Sequence, residues 1–116
     1  MPRKTPMLLE NIRDAVSFIR EVTHGKTLDE YRADRVVRQA VERNFEILGE
    51  AVGSLSRIDP DVASRISGHA EIVAFRNLLI HGYDLIDDSR VWQVITADVP
   101  TLEQQVEKLI EEVTND

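Results

Sequence analysis

The sequence contains no cysteine, few aromatic residues and no long apolar run. Without cysteine the chain has no disulfide, no thiolate metal ligand and no cysteine nucleophile, a usage that fits a reducing cytoplasm. An aromatic content of 5% suits an aliphatic helix bundle better than a β-sandwich. Charges interrupt the opening stretch MPRKTPMLLENIRDAV, and no stretch approaches the length of a membrane span. These absences predict a cytoplasmic protein with no signal peptide and no membrane partner.

The net charge of −7 is unevenly distributed along the chain. Residues 1–50 hold nine Lys/Arg and nine Asp/Glu, whereas residues 51–116 hold five and twelve. This balance argues against long, sequence-indifferent binding to a phosphate backbone, although a local basic cleft is compatible with it. One candidate basic face in the first half comprises Arg32, Arg35, Arg38 and Arg43.

Apolar residues recur at three- and four-residue steps, which predicts helices along nearly the whole chain. The first predicted helix spans 6–23, and Gly25 supplies the left-handed residue after its last turn. Thr27 and Glu30 form a capping-box pattern that opens a second helix. This second helix continues to about residue 56 and is the longest predicted element.

Proline and glycine divide the second half of the chain. Pro60 begins a short helix that ends near residue 66, and the next helix covers roughly 70–81 and stops at Gly82. A last helical region begins at Asp87-Asp88-Ser89, and Pro100 must kink or divide it. Because the connections are short, neighbouring helices should run antiparallel. The predicted fold is therefore all-α: an up-and-down bundle of four to five helices, with a long second helix.

Residues 76–83 read RNLLIHGY and carry the most distinctive chemistry of the sequence. A histidine in the last helical turn is favourable for purely structural reasons, because a helix C-terminus carries partial negative charge. Alternatively, Gly82 lets the chain turn so that Tyr83 returns beside His81. A guanidinium from Arg76, an imidazole and a phenol would then meet at one helix end.

This set of side chains suits phosphoryl chemistry without a metal. Histidine can take a proton from a ribose 2′-OH or give one to a leaving oxygen. Arginine can stabilise the additional negative charge of the transition state. One histidine cannot readily be acid and base in the same step, but a two-fold dimer would bring two copies of the motif to one cleft.

The pattern Arg76-x4-His81-x-Tyr83, with Asn77 after the arginine, resembles the hallmark of the HepT-like ribonuclease toxins of the HEPN superfamily. The likeness covers nearly the whole chain, including RQAVERNFEILGEAV at 38–52 and VWQVITADVPTLEQQV at 91–106. It implies a single HEPN-like helical domain over residues 1–116 that forms a homodimer and needs no cofactor or metal.

The resemblance also implies the roles of the motif residues and a partner. Arg76 and His81 would be the catalytic residues of an endoribonuclease toxin, and Asn77 and Tyr83 would bind the RNA substrate. The cognate antitoxin would be a minimal nucleotidyltransferase (MntA-like) that transfers AMP to Tyr83, as in a type VII-like toxin–antitoxin system. A bulky anionic nucleotide there would block the cleft and repel RNA phosphate.

Other polar residues have a structural and a functional interpretation. Glu21 and His24 match the Glu-x-x-His unit of di-iron bundles, but a solvated acidic face is the favoured interpretation of that glutamate and of Glu42, Glu46 and Glu50. We expect Glu50 to be available to pair with a motif arginine. We expect His69 at a helix start. Phe75 and Trp92 are expected in core or dimer contacts.

Net acidity motivates a second functional hypothesis of a different class. In this alternative the chain is a non-catalytic helical module whose cleft binds a nucleotide or a nucleotidyltransferase. It predicts complex formation with that enzyme and no RNA cleavage.

Overall fold

Helices form all the regular structure of residues 3–115, the part of the chain that the computed structural model describes, with the side chain of Tyr83 outside that description. No strand occurs in this range, so the predicted all-α fold is confirmed. The elements are α1 (Thr5–Thr23), α2 (Leu28–Ala33), α3 (Arg35–Ile58), α4 (Pro60–Ala63), α5 (His69–His81), a 3₁₀ turn (Tyr83–Leu85), α6 (Asp88–Gln93), a π segment (Val94–Asp98) and α7 (Val99–Thr114).

The local signals at the start of the chain act as predicted. Helix α1 ends at Thr23, and Gly25 follows with a left-handed φ of 74°. The Thr27 side chain accepts from the backbone N–H of Glu30, whose carboxylate accepts from the N–H of Thr27, so the capping box at the start of α2 is complete.

The prediction of one long second helix is wrong, because the helix breaks at Asp34. Asp34 has an extended backbone, with φ −109° and ψ 94°, and its side chain accepts a 3.1 Å hydrogen bond from the N–H of Val37. A side-chain oxygen that caps the next helix compensates for interrupting the helical hydrogen bonds. The first six helical residues thus form α2, and the longest element is the third helix, α3.

Helices α4 and α5 are close to their predicted positions but differ at their ends. Helix α4 stops at Ala63, where turns replace the predicted continuation to residue 66. Helix α5 ends at His81, and Gly82 donates its N–H to the carbonyl of Leu78 at 2.7 Å. Gly82 has a φ of −106°, so its backbone is not left-handed. A Cβ there would lie 2.7 Å from Leu78 Cδ1 and 3.0 Å from the Leu78 carbonyl oxygen, so a larger residue would require Leu78 to shift.

The last helical region is interrupted, as predicted, but the interruption lies just before Pro100. Proline cannot donate a backbone hydrogen bond, and its ring crowds the carbonyl one turn earlier. The π segment Val94–Asp98 precedes α7, in which Pro100 is among the first residues. A widened turn is a recognised way to accommodate such a conflict without ending the helix.

The aliphatic core lies where α1, α3, α5 and α7 pack together. Phe75 stacks at a tilt on Phe45, with ring centroids 5.1 Å apart, and Trp92 meets Tyr31 edge-on at 5.4 Å. Both aromatic pairs pack on the core, as predicted for Phe75 and Trp92. Within residues 3–115, no helix combines the length and the apolar content needed to cross a bilayer.

Candidate active site

A surface groove of about 310 Å³ lies between α1, α3 and α5 and contains the motif arginine. Apolar residues form part of its wall, and two arginines and two glutamates provide its charges. The side chains that argue for function are Arg43, Glu46, Glu50 and Arg76, beside the apolar Ile47 and Ile80. The charges of these four side chains sum to zero.

Arg76 lines this groove and is held there by its neighbours. Its side chain is 28% exposed, and its Nη2 donates to Glu50 Oε2 at 2.6 Å. Its Nη1 donates to Asn77 Oδ1 at 3.1 Å. The pairing of Glu50 with a motif arginine is therefore confirmed, and Asn77 contacts the same guanidinium. Gly49 lies opposite Arg76 on α3, and its lack of a side chain lets the two helices approach closely.

The guanidinium can exchange its carboxylate partner for another anion. Arg76 Nε is buried and has no hydrogen-bond partner among the described residues. Glu50 is 62% exposed, so its carboxylate can leave the pair for water at low cost. The Nη donors that now reach Glu50 and Asn77 form a planar fork that matches a phosphate group. The geometry thus suits the binding of an anion at Arg76.

His81 occupies a different face of the same helix. It is the last residue of α5, is exposed, and is not part of the groove wall. Five residues along an α-helix correspond to a rotation of about 140°, so Arg76 and His81 point in different directions. The 3₁₀ turn starts at Tyr83, but its side chain lies outside the described residues. The approach of Tyr83 to His81 therefore stays a prediction.

The first half of the chain does not form the single basic face that was predicted. Arg32 donates to Ser89 Oγ, and Arg38 lies 4.0 Å from Asp88, so both face α6. Arg43 instead lines the groove, where its Nη1 donates to Glu46 Oε2 at 3.1 Å. Sequence reasoning counted Arg43 among the cations but did not connect it with Arg76. The available signal was the seven-residue step from Arg43 to Glu50, which brings both to one side of α3.

The di-metal alternative finds no ligand set in the described part of the chain. No group of three or more His, Cys, Asp or Glu side chains is close enough there to hold a metal ion. Glu21 and His24 are exposed, while Glu46 and Glu50 pair with arginines. Burial, and then the carboxylate of Asp88, raises the pKa of Glu42. His69 begins α5, as predicted, with Nδ1 3.3 Å from the carbonyl oxygen of Ile66.

Comparison with known proteins identifies the family of the chain. The family described as "Ribonuclease HepT-like" matches residues 12–109, which include both helices that form the Arg76 pair. The chain belongs to the HepT-like ribonuclease family. This membership supports the helical HEPN-type fold and, through the names of relatives, points to a ribonuclease.

Three relatives illustrate the membership. A protein of Caldanaerobacter subterraneus subsp. tengcongensis named "Putative RNase" is 32% identical over 93% of this chain and 96% of its own length. The "Probable ribonuclease HepT" of Thermococcus cleftensis is 31% identical over 94% of this chain and 98% of its own. A Methanocaldococcus jannaschii protein, "Gamma-glutamylcyclotransferase and putative RNase", is 29% identical over 97% of this chain, which spans only 50% of that relative. No solved structure gave a significant match.

Proposed function

We propose that this HepT-like protein is a metal-independent endoribonuclease toxin in which Arg76 and His81 are the catalytic residues. The observation that carries the proposal is the state of Arg76: a largely sheltered guanidinium whose Nη2 donor is held by an exposed and displaceable carboxylate. An RNA phosphate can replace Glu50 on this guanidinium and form charge-assisted hydrogen bonds. Family membership supplies the independent support for RNA as the substrate.

The proposed reaction needs one proton acceptor and one proton donor. The ribose 2′-oxygen attacks the adjacent phosphorus while a base removes its proton, and the bond from phosphorus to the 5′-oxygen breaks as an acid protonates that oxygen. The products are a 2′,3′-cyclic phosphate and a 5′-hydroxyl. Arg76 stabilises the charge that develops on the phosphoryl oxygens, and the exposed imidazole of His81 supplies proton transfer.

A homodimer accounts for the different directions of Arg76 and His81. Two copies related by a two-fold axis contribute two guanidiniums and two imidazoles to one cleft, so one histidine acts as base and the other as acid. The groove beside Arg76 also exposes apolar side chains, with Ile47 and Ile80 respectively 37% and 39% exposed. A second copy that packs on part of this apolar surface would remove it from water, with the charged side chains left to line the shared cleft.

The proposal extends to control by an MntA-like nucleotidyltransferase antitoxin in a type VII-like pair. In this step the Tyr83 phenol attacks the α-phosphorus of ATP, pyrophosphate leaves and the phenol loses its proton. The helix end supports such access: His81, Asp84 and Leu85 are exposed around the modified position. An anionic nucleotide next to His81 would exclude a substrate phosphate by repulsion and by bulk.

The test compares wild-type protein, His81→Ala and the control His24→Ala, which changes an exposed histidine at the end of α1. Single-stranded RNA is incubated with each protein in EDTA, and the products are resolved by mass spectrometry. We expect wild-type protein and His24→Ala to leave 2′,3′-cyclic phosphates, and His81→Ala to lose at least about a hundredfold in rate. Equal cleavage by His81→Ala would remove His81 from the mechanism.

A parallel measurement distinguishes the toxin from the non-catalytic module. Incubation with the partner nucleotidyltransferase and ATP should add one or more AMP masses to the chain, and Tyr83→Phe should abolish the addition. The charge-neutral groove is the observation that favours the module. Stable binding to the partner by unmodified protein that cleaves no RNA would support that second candidate.

A further inference from the structure

Arg43 is the second cation of the groove that contains Arg76. Its side chain is 69% exposed, and its only ion pair among the described residues is with Glu46, three positions later on the same helix. Arg76 and Glu50 show the opposite arrangement, because there the arginine is sheltered and the carboxylate exposed. The groove therefore has one sheltered guanidinium and one exposed guanidinium.

The two guanidiniums lie at different levels along α3. Glu50, the partner of Arg76, is seven residues from Arg43, which corresponds to about 10.5 Å along a helix at ~1.5 Å per residue. Seven residues also complete nearly two turns, so both positions lie on the same side of α3. In a stacked strand that rises ~3.4 Å per nucleotide, this separation corresponds to roughly three nucleotides. One strand can thus contact both cations through different phosphates.

An incoming phosphate can replace the carboxylate partner of Arg43, as proposed for Arg76. Exposed ion pairs three residues apart on a helix are weak and are further screened by salt. A bidentate hydrogen bond from a guanidinium to phosphate is directional and stronger. Arg43 is long and mobile enough to leave Glu46 for an incoming anion, whereas sheltered Glu46, with a side chain 25% exposed, stays in the wall.

We propose that Arg43 is a substrate-binding residue that holds a phosphate about three nucleotides from the one bound by Arg76. The inference rests on the proposed ribonuclease function, since it takes Arg76 as the site of the scissile phosphate. It assigns to the groove a direction along α3 and a minimum substrate length. RNA long enough to reach Arg43 binds more tightly than RNA that reaches only Arg76.

The experiment measures binding as a function of RNA length, and cleavage of the same RNA is compared in proteins that keep His81. Fluorescent single-stranded oligonucleotides of two and eight nucleotides are titrated against His81→Ala protein, which is expected to cleave them at least about a hundredfold more slowly, with and without Arg43→Ala. We expect Arg43→Ala to weaken binding of the octamer by about three- to tenfold and to reduce the length preference. The slope of log affinity against log salt should also fall by about 0.7.

Arg35→Ala is the matched control, because Arg35 is an exposed arginine on the same helix outside the groove. Equal effects of Arg35→Ala and Arg43→Ala on octamer binding would overturn the proposal. So would an altered oligomeric state of Arg43→Ala by analytical ultracentrifugation, since Arg43 would then act on assembly. Arg43→Lys keeps the charge without the planar fork and should restore part of the affinity.

Failure of the two proposals can be distinguished in the same series. If wild-type protein cleaves RNA but Arg43→Ala binds and cleaves the octamer as Arg35→Ala does, the inference about Arg43 is wrong and the ribonuclease stands. If wild-type protein cleaves no RNA but octamer binding depends on Arg43, the groove binds RNA as inferred and the proposed catalytic function is wrong.

Discussion

Gly49 and Arg76 are in direct contact across the α3–α5 interface. A Cβ added to Gly49 would lie 2.2 Å from Arg76 Cβ and 2.7 Å from its Cγ, so no other residue fits without moving a helix. Contact of this kind fixes the base of the Arg76 side chain, while Glu50 orients the guanidinium. The close approach of the helices is therefore part of the candidate site as well as of the core.

Substitution of two glycines on α3 should have opposite effects on stability. We expect Gly49→Ala to lower the free energy of unfolding by about 1–2 kcal/mol, because overpacking exceeds the gain in helix propensity. Gly53→Ala should raise it by about 0.5–1 kcal/mol, because its Cβ would meet ordinary contacts at 3.7 Å and 3.8 Å. Urea unfolding of both variants measures the difference. A stabilised Gly49→Ala would contradict the close approach.

Removal of the carboxylate from Glu50 should increase the affinity for RNA. Glu50→Gln keeps an oxygen that accepts from Arg76 but no longer competes as an anion. We expect RNA affinity to rise about three- to tenfold, with stability changed by less than about 1 kcal/mol because the carboxylate is exposed. Fluorescence anisotropy at constant salt measures the affinity. Glu21→Gln makes the same charge change outside the groove, and an equal gain there would attribute the effect to net charge alone.

The pH dependence of stability should reveal the environment of Glu42. Burial, with Asp88 nearby, raises the pKa of Glu42 above its ordinary value of 4.5, so the fold retains this proton more strongly than the unfolded chain does. Below the ordinary pKa both states are protonated and there is no penalty. As pH rises through the ordinary pKa and then the folded pKa, the wild-type chain loses stability at this site.

Glu42→Gln removes that penalty and is the corresponding test. The variant should be more stable than the wild-type chain at neutral pH, and the advantage should disappear as the pH falls below 4.5. Urea unfolding at several pH values from about 3.5 to 8 measures both chains. A pH-independent difference would show that the titration of Glu42 is not its source.

Helix ends could be predicted where one residue decides the local geometry. The Thr27 and Glu30 side chains satisfy each other's backbone donors, and Gly25 has a positive φ, so these signals do not depend on the rest of the fold. Asp34 is different, because an aspartate in an apolar-periodic stretch is equally compatible with a solvated helix interior. Only the packing of α2 and α3 determines that it acts as a cap.

One contact of the candidate site was predictable from the sequence, whereas the rest of its surroundings were not. The motif indicated Arg76 and His81 by residue type and spacing, and the Arg76–Glu50 pair confirms one expected partner. Gly49 gave no such signal, because a small residue on a helix does not identify the helix that approaches it. Arg43 was likewise visible as a cation, but its place beside Arg76 depends on how α3 packs against α5.

The π segment Val94–Asp98 adds one residue to the last helical region, relative to a regular α-helix. Val91 and Val99 are both buried although eight residues separate them, a spacing that would put them about 80° apart on a regular α-helix. If one residue of the segment were lost, the spacing would become seven, which an ordinary α-helix brings back into phase. A single-residue deletion here would therefore keep the buried face in phase but would return Pro100 to a closed turn, where its ring conflicts with the carbonyl one turn earlier.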